Sequence, residues 1–293
     1  HGYTSSANSI MSYSYLNDIA DENGFAVCYP QGTSDQYGNN FWNVGYAFHE
    51  NQTVDDIGFI ESLADYLQAE HNLSSVNTFS TGMSNGGDMS YLLACKAHET
   101  FKAIAPVAGS MLEWIYNTCD SVPTPVLEIH GTNDSVTLWD GDMENNDGWG
   151  AYLSTLDAID YWVSTNECLE SEDINLPNTD FSDGSYVINH RYFNCIDNKE
   201  VWLYEVVNGG HDWPGSYGNM DINASEEIWS FLRTYTLMLG DINEDYGINI
   251  LDVISLIDLI LSGNSNHNTA DINNDGQINV IDVVALVNLI LGN

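Results

Sequence analysis

A doubly wound α/β sheet followed by a small all-α repeat module is the architecture this sequence predicts. Three observations carry the expectation. Short apolar runs rich in Val, Ile and Phe alternate with segments whose apolar residues recur at helical spacing. The end of the chain repeats itself: residues 240–261 (GDINEDYGINILDVISLIDLIL) and 270–291 (ADINNDGQINVIDVVALVNLIL) share 12 of 22 positions at an offset of 30, and nothing upstream repeats. A chain of 293 residues with 43% hydrophobic content can also fill one full-size core beside a small companion. The boundary falls between residues 238 and 239, directly after a helical stretch at 224–238.

Taken in order, residues 24–30 (GFAVCYP), 76–81, 103–109, 125–130 and Val201–Val207 read as buried strands. Residues 54–71, with Thr53 as N-cap, and residues 85–98, 152–165 and 224–238 read as the helices between and after them. Such alternation predicts a mostly parallel sheet whose chemistry lies at the carboxyl ends of its strands.

Charge narrows the function classes. Forty-three acidic residues against five basic ones leave a net charge of −38, and no base follows Arg233. Nucleic-acid binding needs clustered Lys and Arg, so it is excluded. Aromatic residues at 12% and recurrent apolar runs exclude a disordered chain. No apolar run approaches the ~20 residues of a membrane span. Five cysteines at wide spacing form neither a zinc knuckle nor a CxxC motif. An acidic, Lys-poor chain of this kind fits a secreted protein with one or two disulfides, the odd count leaving at least one thiol free or paired elsewhere. The chain opens on His1 rather than Met, and a trimmed N-terminus is expected.

The strand at 76–81 runs into Gly82-Met83-Ser84-Asn85-Gly86 and then into a helix. A nucleophile on so sharp a strand-to-helix turn sits in a strained backbone conformation, and its crowded neighbours must lack side chains. The helix N-terminus offers N–H groups to a developing oxyanion. Serine needs a base and an orienting acid. Asp134 follows the fourth predicted strand in HGTND, and His211 follows the last in NGGHDWPG, giving the order Ser84, Asp134, His211. Asp140 and Asp142 are the alternatives to Asp134, whereas His130 reads as structural. A second oxyanion donor is expected from a His-Gly loop, which assigns the N–H of Tyr3 beside that of Asn85. Trp139 and Trp149 on the segment after the acid loop, with Trp42 and Trp213, are expected to wall the substrate site.

The motifs HGYTSSA, GFAVCYPQGT, FWNVG, VDDIGFI, TGMSNGG, AIAPVAGSM, HGTND and GGHDWPG occur in that order. Over roughly residues 1–237 the chain thereby resembles the secreted feruloyl esterase and polyhydroxybutyrate-depolymerase-like branch of the α/β-hydrolases. The resemblance implies ester hydrolysis through Ser84, Asp134 and His211 without a cofactor in that domain. It also implies a Cys168–Cys195 disulfide and a Cys95–Cys119 disulfide. Family members carry two or three strands ahead of the His-Gly loop, the last of them central in the sheet. Their absence predicts that the sequence is a fragment, because a lost central strand strands buried backbone groups at roughly 1–3 kcal/mol each.

In the repeats, Asp241, Asn243, Asp245, Asn249 and Asp252, and equally Asp271, Asn273, Asp275, Asn279 and Asp282, occupy loop positions 1, 3, 5, 9 and 12 of an EF-hand-like Ca²⁺ site. Gly247 and Gln277 stand at position 7, where the backbone carbonyl is the ligand. Gly276 meets the sharp turn at position 6; the first loop has Tyr246 there and is expected to bind more weakly. Two loop–helix units of this kind resemble a type I dockerin, which implies two Ca²⁺ ions and docking to a cohesin of a scaffoldin. Positions 10 and 11, Ile250-Leu251 and Val280-Ile281, would carry the docking contact, with ordinary core packing as the alternative. Together the two resemblances imply a secreted, cellulosome-associated esterase of plant cell-wall polysaccharide, feruloyl esters foremost. Acetyl xylan esterase, polyester depolymerase and non-catalytic carbohydrate-binding module are the alternatives.

Overall fold

The structure, a computed structural model, describes residues 1–245, 247–263, 267, 269–273 and 275–292. It divides into two compact units, His1–Arg233 and Thr234–Asn293. Among the described residues no helix is long and apolar enough to cross a membrane.

The first unit is built on a six-stranded sheet of β1 (Phe79–Met83), β2 (Ala103–Val107), β3 (Val126–Gly131), β4 (Glu170–Asn175), β5 (Tyr186–Phe193) and β6 (Val201–Val207), in spatial order β1-β2-β3-β6-β5-β4. β1, β2, β3 and β6 run parallel, with Phe79 opposite Ala103 and Val126 opposite Val201. All residues of β2 and β3 are buried, the pattern of a sheet covered on both faces. β5 and β4 add an antiparallel hairpin on the β6 side. That hairpin is absent from the sequence reading because β4, Glu-Ser-Glu-Asp-Ile-Asn, is exposed throughout and carries no apolar alternation.

The helices of this unit are α1 (Ala7–Ser14), α2 (Leu16–Asn23), α3 (Asp56–His71), α4 (Asn85–Lys96), α5 (Glu113–Thr118), α6 (Thr155–Thr165) and α7 (Ala224–Leu232). α4 packs on β1 and β2, α6 on β3 and β6, and α7 on β2 and β3. Three expectations are corrected. Residues 24–30 form no strand: they join no ladder, and pairing, not local apolar content, makes a strand. The N-cap of α3 is Asp55 rather than Thr53, its carboxylate accepting from Gly58 N at 2.9 Å. The last helix ends at Leu232 and tightens into a 3₁₀ turn at Arg233–Tyr235, where Thr234, Tyr235 and Thr236 bring poor helix formers. Cys95–Cys119 and Cys168–Cys195 are disulfide-bonded, and Cys28 is an exposed free thiol.

The second unit holds α8 (Ile250–Leu261) and α9 (Val280–Leu291), which pack on each other. Both open with a reciprocal capping box, Asn249 with Asp252 and Asn279 with Asp282. Ile242, Val253, Leu256, Ala270 and Leu286 form its core. Ile250, Leu251, Val280 and Ile281 stay outside it, each more than half exposed, so core packing does not account for them.

Candidate active site

Two close backbone approaches place the chemistry. At the end of β1 a Cβ on Gly82 would lie 2.6 Å from the carbonyl of Gly86, so the turn into α4 closes only between glycines. Ser84 between them has φ 57° and ψ −124°, a conformation that L-residues rarely adopt and that lifts its side chain off the turn. At the end of β3 a Cβ on Gly131 would lie 2.4 Å from the carbonyl oxygens of Gly209 and Gly210. That contact draws the loop after β6 against the loop after β3, and His211 meets Asp134.

His211 Nδ1 donates to Asp134 Oδ2 at 2.7 Å. Asp134 is buried, and its Oδ1 accepts from Val136 N at 2.8 Å and Thr137 N at 2.9 Å, so the carboxylate is fixed before it orients the imidazole. Among the described residues neither Asp140 nor Asp142 shares a hydrogen bond or ion pair with His211, which pairs with Asp134; Asp142 instead accepts from Asn146 and Asp147 in its own turn. Among the described residues neither Ser84 Oγ nor His211 Nε2 has a hydrogen-bond partner, so the pair of reactive atoms is not joined in this state. Such bonds are often long without substrate. Gly2 lies over the serine: a Cβ on it would be 3.4 Å from Ser84 Cβ and 3.8 Å from Ser84 Oγ. The backbone N–H groups of Tyr3 and Asn85 are without partners among the described residues, as an oxyanion site requires.

A cleft at Ser84 is lined by Tyr46, Asp88, Ser110, Val136, Thr137, Trp149 and Tyr152. Of the four tryptophans expected to wall the site, only Trp149 lines it. Trp42 and Trp213 are corrected to core residues, 2% and 1% exposed, with their indole N–H groups bonded to His1 O at 3.1 Å and Ser225 Oγ at 3.2 Å. Trp139 is half-buried and turns an edge to His130.

Several buried acids went unnoticed in the sequence, Asp88 and Glu128 among them. Asp88, one turn into α4, accepts from Tyr46 Oη at 2.6 Å and from Ser110 N and Oγ at 2.6 and 3.1 Å. Burial pushes its carboxyl up to about 6 against the pull of those bonds. Glu128, inside β3, meets His130 Nδ1 at 2.9 Å and Tyr91 Oη at 3.0 Å, and burial pushes it up to about 7. His130 Nε2 donates to Thr137 O at 2.9 Å and lies 3.7 Å from Asp134, so the histidine read as structural stands directly behind the orienting acid.

In the second unit the loop residues turn inward on their own backbone. Asp252 accepts from Ile242 N, Asn243 N and Asn249 N, and Asp282 from Asn273 N and Asn279 N, with neither side chain exposed. Asp271 accepts from Asp275 N at 3.0 Å and Gly276 N at 2.7 Å. Gly276 takes φ +80° at the turn, while Tyr246 lies outside the described residues. Among the described residues no three His, Cys, Asp or Glu side chains converge as a metal cluster. The loops add Asn and carbonyl oxygens to their carboxylates, and that all-oxygen set suits a hard cation such as Ca²⁺.

Both units are similar to known proteins. Residues 11–135 match the prolyl oligopeptidase family, and residues 239–291 match the dockerin type I domain. A probable feruloyl esterase C of Aspergillus niger is 33% identical over 116 residues, 39% of this chain and 40% of that protein. A probable feruloyl esterase C of Aspergillus terreus is 28% identical over 224 residues, 74% of this chain and 72% of that protein. The chain thus spans about two fifths of the length of the first relative and about seven tenths of the second. The structure of an acetyl xylan esterase from Aspergillus awamori is similar with a TM-score of 0.53 at 14% identity, covering 80% of this chain and 86% of that one. The first unit therefore has the fold of the α/β-hydrolase esterases, and a dockerin type I domain stands at the C-terminal end.

Proposed function

We propose that this chain is an extracellular serine carboxylic-ester hydrolase, residues 1–238, carried on a type I dockerin, residues 239–293. The observation that supports it best is the strained Ser84, set between free backbone N–H groups and flanked by the 2.7 Å His211–Asp134 pair. In the proposed reaction His211 Nε2 takes the proton of Ser84 Oγ as that oxygen attacks the ester carbonyl. Asp134 holds the proton on Nδ1 and stabilises the imidazolium, and the N–H groups of Tyr3 and Asn85 receive the oxyanion. The imidazolium then protonates the leaving alcohol. Water repeats the sequence on the acyl-enzyme and frees the acid.

The substrate class follows from the feruloyl esterase relatives and the dockerin together: feruloyl esters of plant cell-wall arabinoxylan, with Trp149, Tyr46 and Tyr152 beside the acyl group. Two Ca²⁺ ions belong to the dockerin, held by Asp241, Asn243, Asp245, Gly247, Asn249 and Asp252 and by their counterparts Asp271, Asn273, Asp275, Gln277, Asn279 and Asp282. Bound calcium would supply positive charge where these oxygens meet. The exposed Ile250, Leu251, Val280 and Ile281 would face a cohesin of a scaffoldin. Hydrolysis of 4-nitrophenyl acetate, methyl ferulate and acetylated xylan, with Ser84→Ala and His211→Ala alongside, tests the reading. Either variant is expected to lose at least about 10³-fold in kcat. Activity near wild type in either overturns the catalytic assignment, and turnover of acetylated xylan without methyl ferulate overturns the acyl preference.

A further inference from the structure

The oxyanion donor assigned to Tyr3 stands on a segment with no regular structure, so something else must hold it in place. Gly2 presses on Ser84, and Thr4 adopts φ +66°, a strained value for a β-branched residue. The backbone is tied at few points: Thr4 N donates to Asn40 O at 2.9 Å, Ser5 N to Gly2 O at 3.1 Å, and Asn40 Nδ2 to Ser5 O at 2.9 Å. The strongest tie is the side chain of Tyr3 itself. Its phenol donates to Asp35 Oδ2 at 2.6 Å and accepts from Asn39 Nδ2 at 2.8 Å.

Asp35 is built to receive it. The carboxylate is fully enclosed, and its other contacts are all donors: His49 Nε2 at 3.0 Å on the same oxygen, with Tyr37 N at 2.8 Å and Asn39 N at 2.9 Å on Oδ1. Among the described residues His49 Nδ1 is buried without a partner, which places the ring proton on Nε2, where it points at Asp35. Burial alone would raise the Asp35 carboxyl, but the Tyr3 and His49 bonds and the two N–H bonds hold it well below the usual carboxylate range. An anion with four donors is a rigid anchor. The ring of Tyr3 is in turn wedged among Phe48, His49 and Trp149, with centroids 5.6–5.8 Å apart, and Trp149 lines the cleft at Ser84.

We propose that Asp35 is a positioning residue for catalysis, acting through the Tyr3 phenol to hold the Tyr3 N–H where the oxyanion forms. The inference rests on the serine-esterase reading above and assigns a role to a buried group that the triad does not use. An oxyanion donor helps only if fixed before the charge develops. Losing the tether therefore slows the chemical step and leaves substrate binding alone.

The test uses the full chain with 4-nitrophenyl acetate as substrate and a 4-nitrophenyl phosphonate to count reactive Ser84. Tyr3→Phe keeps the ring and removes the hydroxyl. Its kcat per titrated site is expected to fall about 10-fold, less than the roughly 10²–10³-fold that deletion of a whole oxyanion donor costs. KM should stay within about twofold and the pH profile should keep its shape. Asp35→Asn should lower kcat per site at least as much. If Asp35→Asn fails to fold, Tyr3→Phe decides alone. A merely structural role would reduce the titratable fraction and leave kcat per site at the wild-type value, and that result overturns the proposal. Failure of the underlying reading looks different: the wild-type chain would give no phosphonate titration, or Ser84→Ala would stay active.

Discussion

The two units bury carboxylates by different means. In the first, four of the buried acids meet side chains that bring protons: Tyr3 and His49 for Asp35, Tyr46 and Ser110 for Asp88, Tyr91 and His130 for Glu128, His211 for Asp134. In the second, Asp252 and Asp282 are also buried but, among the described residues, accept only from backbone N–H groups of their own loops. A backbone N–H is a fixed partial charge. It cannot neutralise a carboxylate as a shared proton can, and a run of such loops keeps its self-repulsion until a cation arrives. The first unit is thus expected to hold its acids alone, the second only with calcium.

Chelation is the largest way to break that comparison. All eight tryptophans precede residue 234, so indole emission reports the first unit alone. Far-UV circular dichroism also sees α8 and α9, 12 residues each. Excess EGTA is expected to remove the helical signal of those two helices while the tryptophan spectrum stays constant, and added Ca²⁺ should restore it. An emission shift in step with the dichroism would put the calcium dependence in the wrong unit. Unchanged dichroism would remove calcium from the account.

Acidity sharpens the contrast, because the two units should respond with opposite sign. Burial raises Asp88 to about 6 and Glu128 to about 7, both above their unfolded values. Between roughly pH 4 and 7 the unfolded chain has released these protons and the folded unit has kept them, so stability falls as pH rises, on the order of 1.4 kcal/mol per pH unit for each group in its window. His130 is also raised, and its contribution likewise fades as pH rises through its folded value. Urea unfolding followed by tryptophan emission should therefore show the first unit more stable at pH 5 than at 7.5. In the second unit carboxylates must be deprotonated to bind metal, so the Ca²⁺ needed for helicity should rise at pH 5. Parallel responses would refute the division.

What the sequence shows and what it hides follows the same physical line. The serine turn is legible because its sterics are local: Gly82 and Gly86 meet each other across four residues. The repeat loops are legible because their oxygens, caps and turns all lie within a dozen residues. Asp35, Asp88 and Glu128 are invisible beforehand, since their donors Tyr3, Tyr46 and Tyr91 stand 32 to 42 residues away and only folding joins them. Trp42 and Trp213 show the same limit from the other side, because an indole's size says nothing of whether it faces a cleft or a core. The segment 24–30 has the composition of a strand, but a strand needs a neighbour that no local pattern can supply.

A smaller perturbation probes the proton-bearing partners one at a time. Tyr91→Phe removes the phenol that donates to Glu128 Oε2 at 3.0 Å and leaves Gly109 N and His130 on the other oxygen. One buried acceptor atom then lacks its donor, at an expected cost of about 1–3 kcal/mol in the urea unfolding of the first unit. The calcium titration of the second unit should not move. A loss below about 0.5 kcal/mol would mean that the phenols are not what holds these acids.

The smallest expected effect lies in the turn of the second loop. Gly276 at position 6 has φ +80°, and a Cβ built there would meet nothing within 4 Å. Space is therefore no obstacle to Gly276→Ala, and the whole cost is the left-handed backbone, about 1 kcal/mol for an L-residue. That strain belongs to the folded, cation-binding loop and is absent from the unfolded one. Calcium affinity at this site should accordingly drop about fivefold, since every 1.4 kcal/mol is about tenfold, while the side chains of Asp271, Asn273 and Asp275 are untouched. The first loop carries Tyr246 at the equivalent position, so calorimetric titration of the wild-type chain should already resolve one weaker and one stronger site. Gly276→Ala should then bring the two together. Equal sites in the wild type would show that the first loop reaches its turn another way, through Gly247 one place later. An unchanged second site in Gly276→Ala would show that the left-handed turn is not what separates the loops.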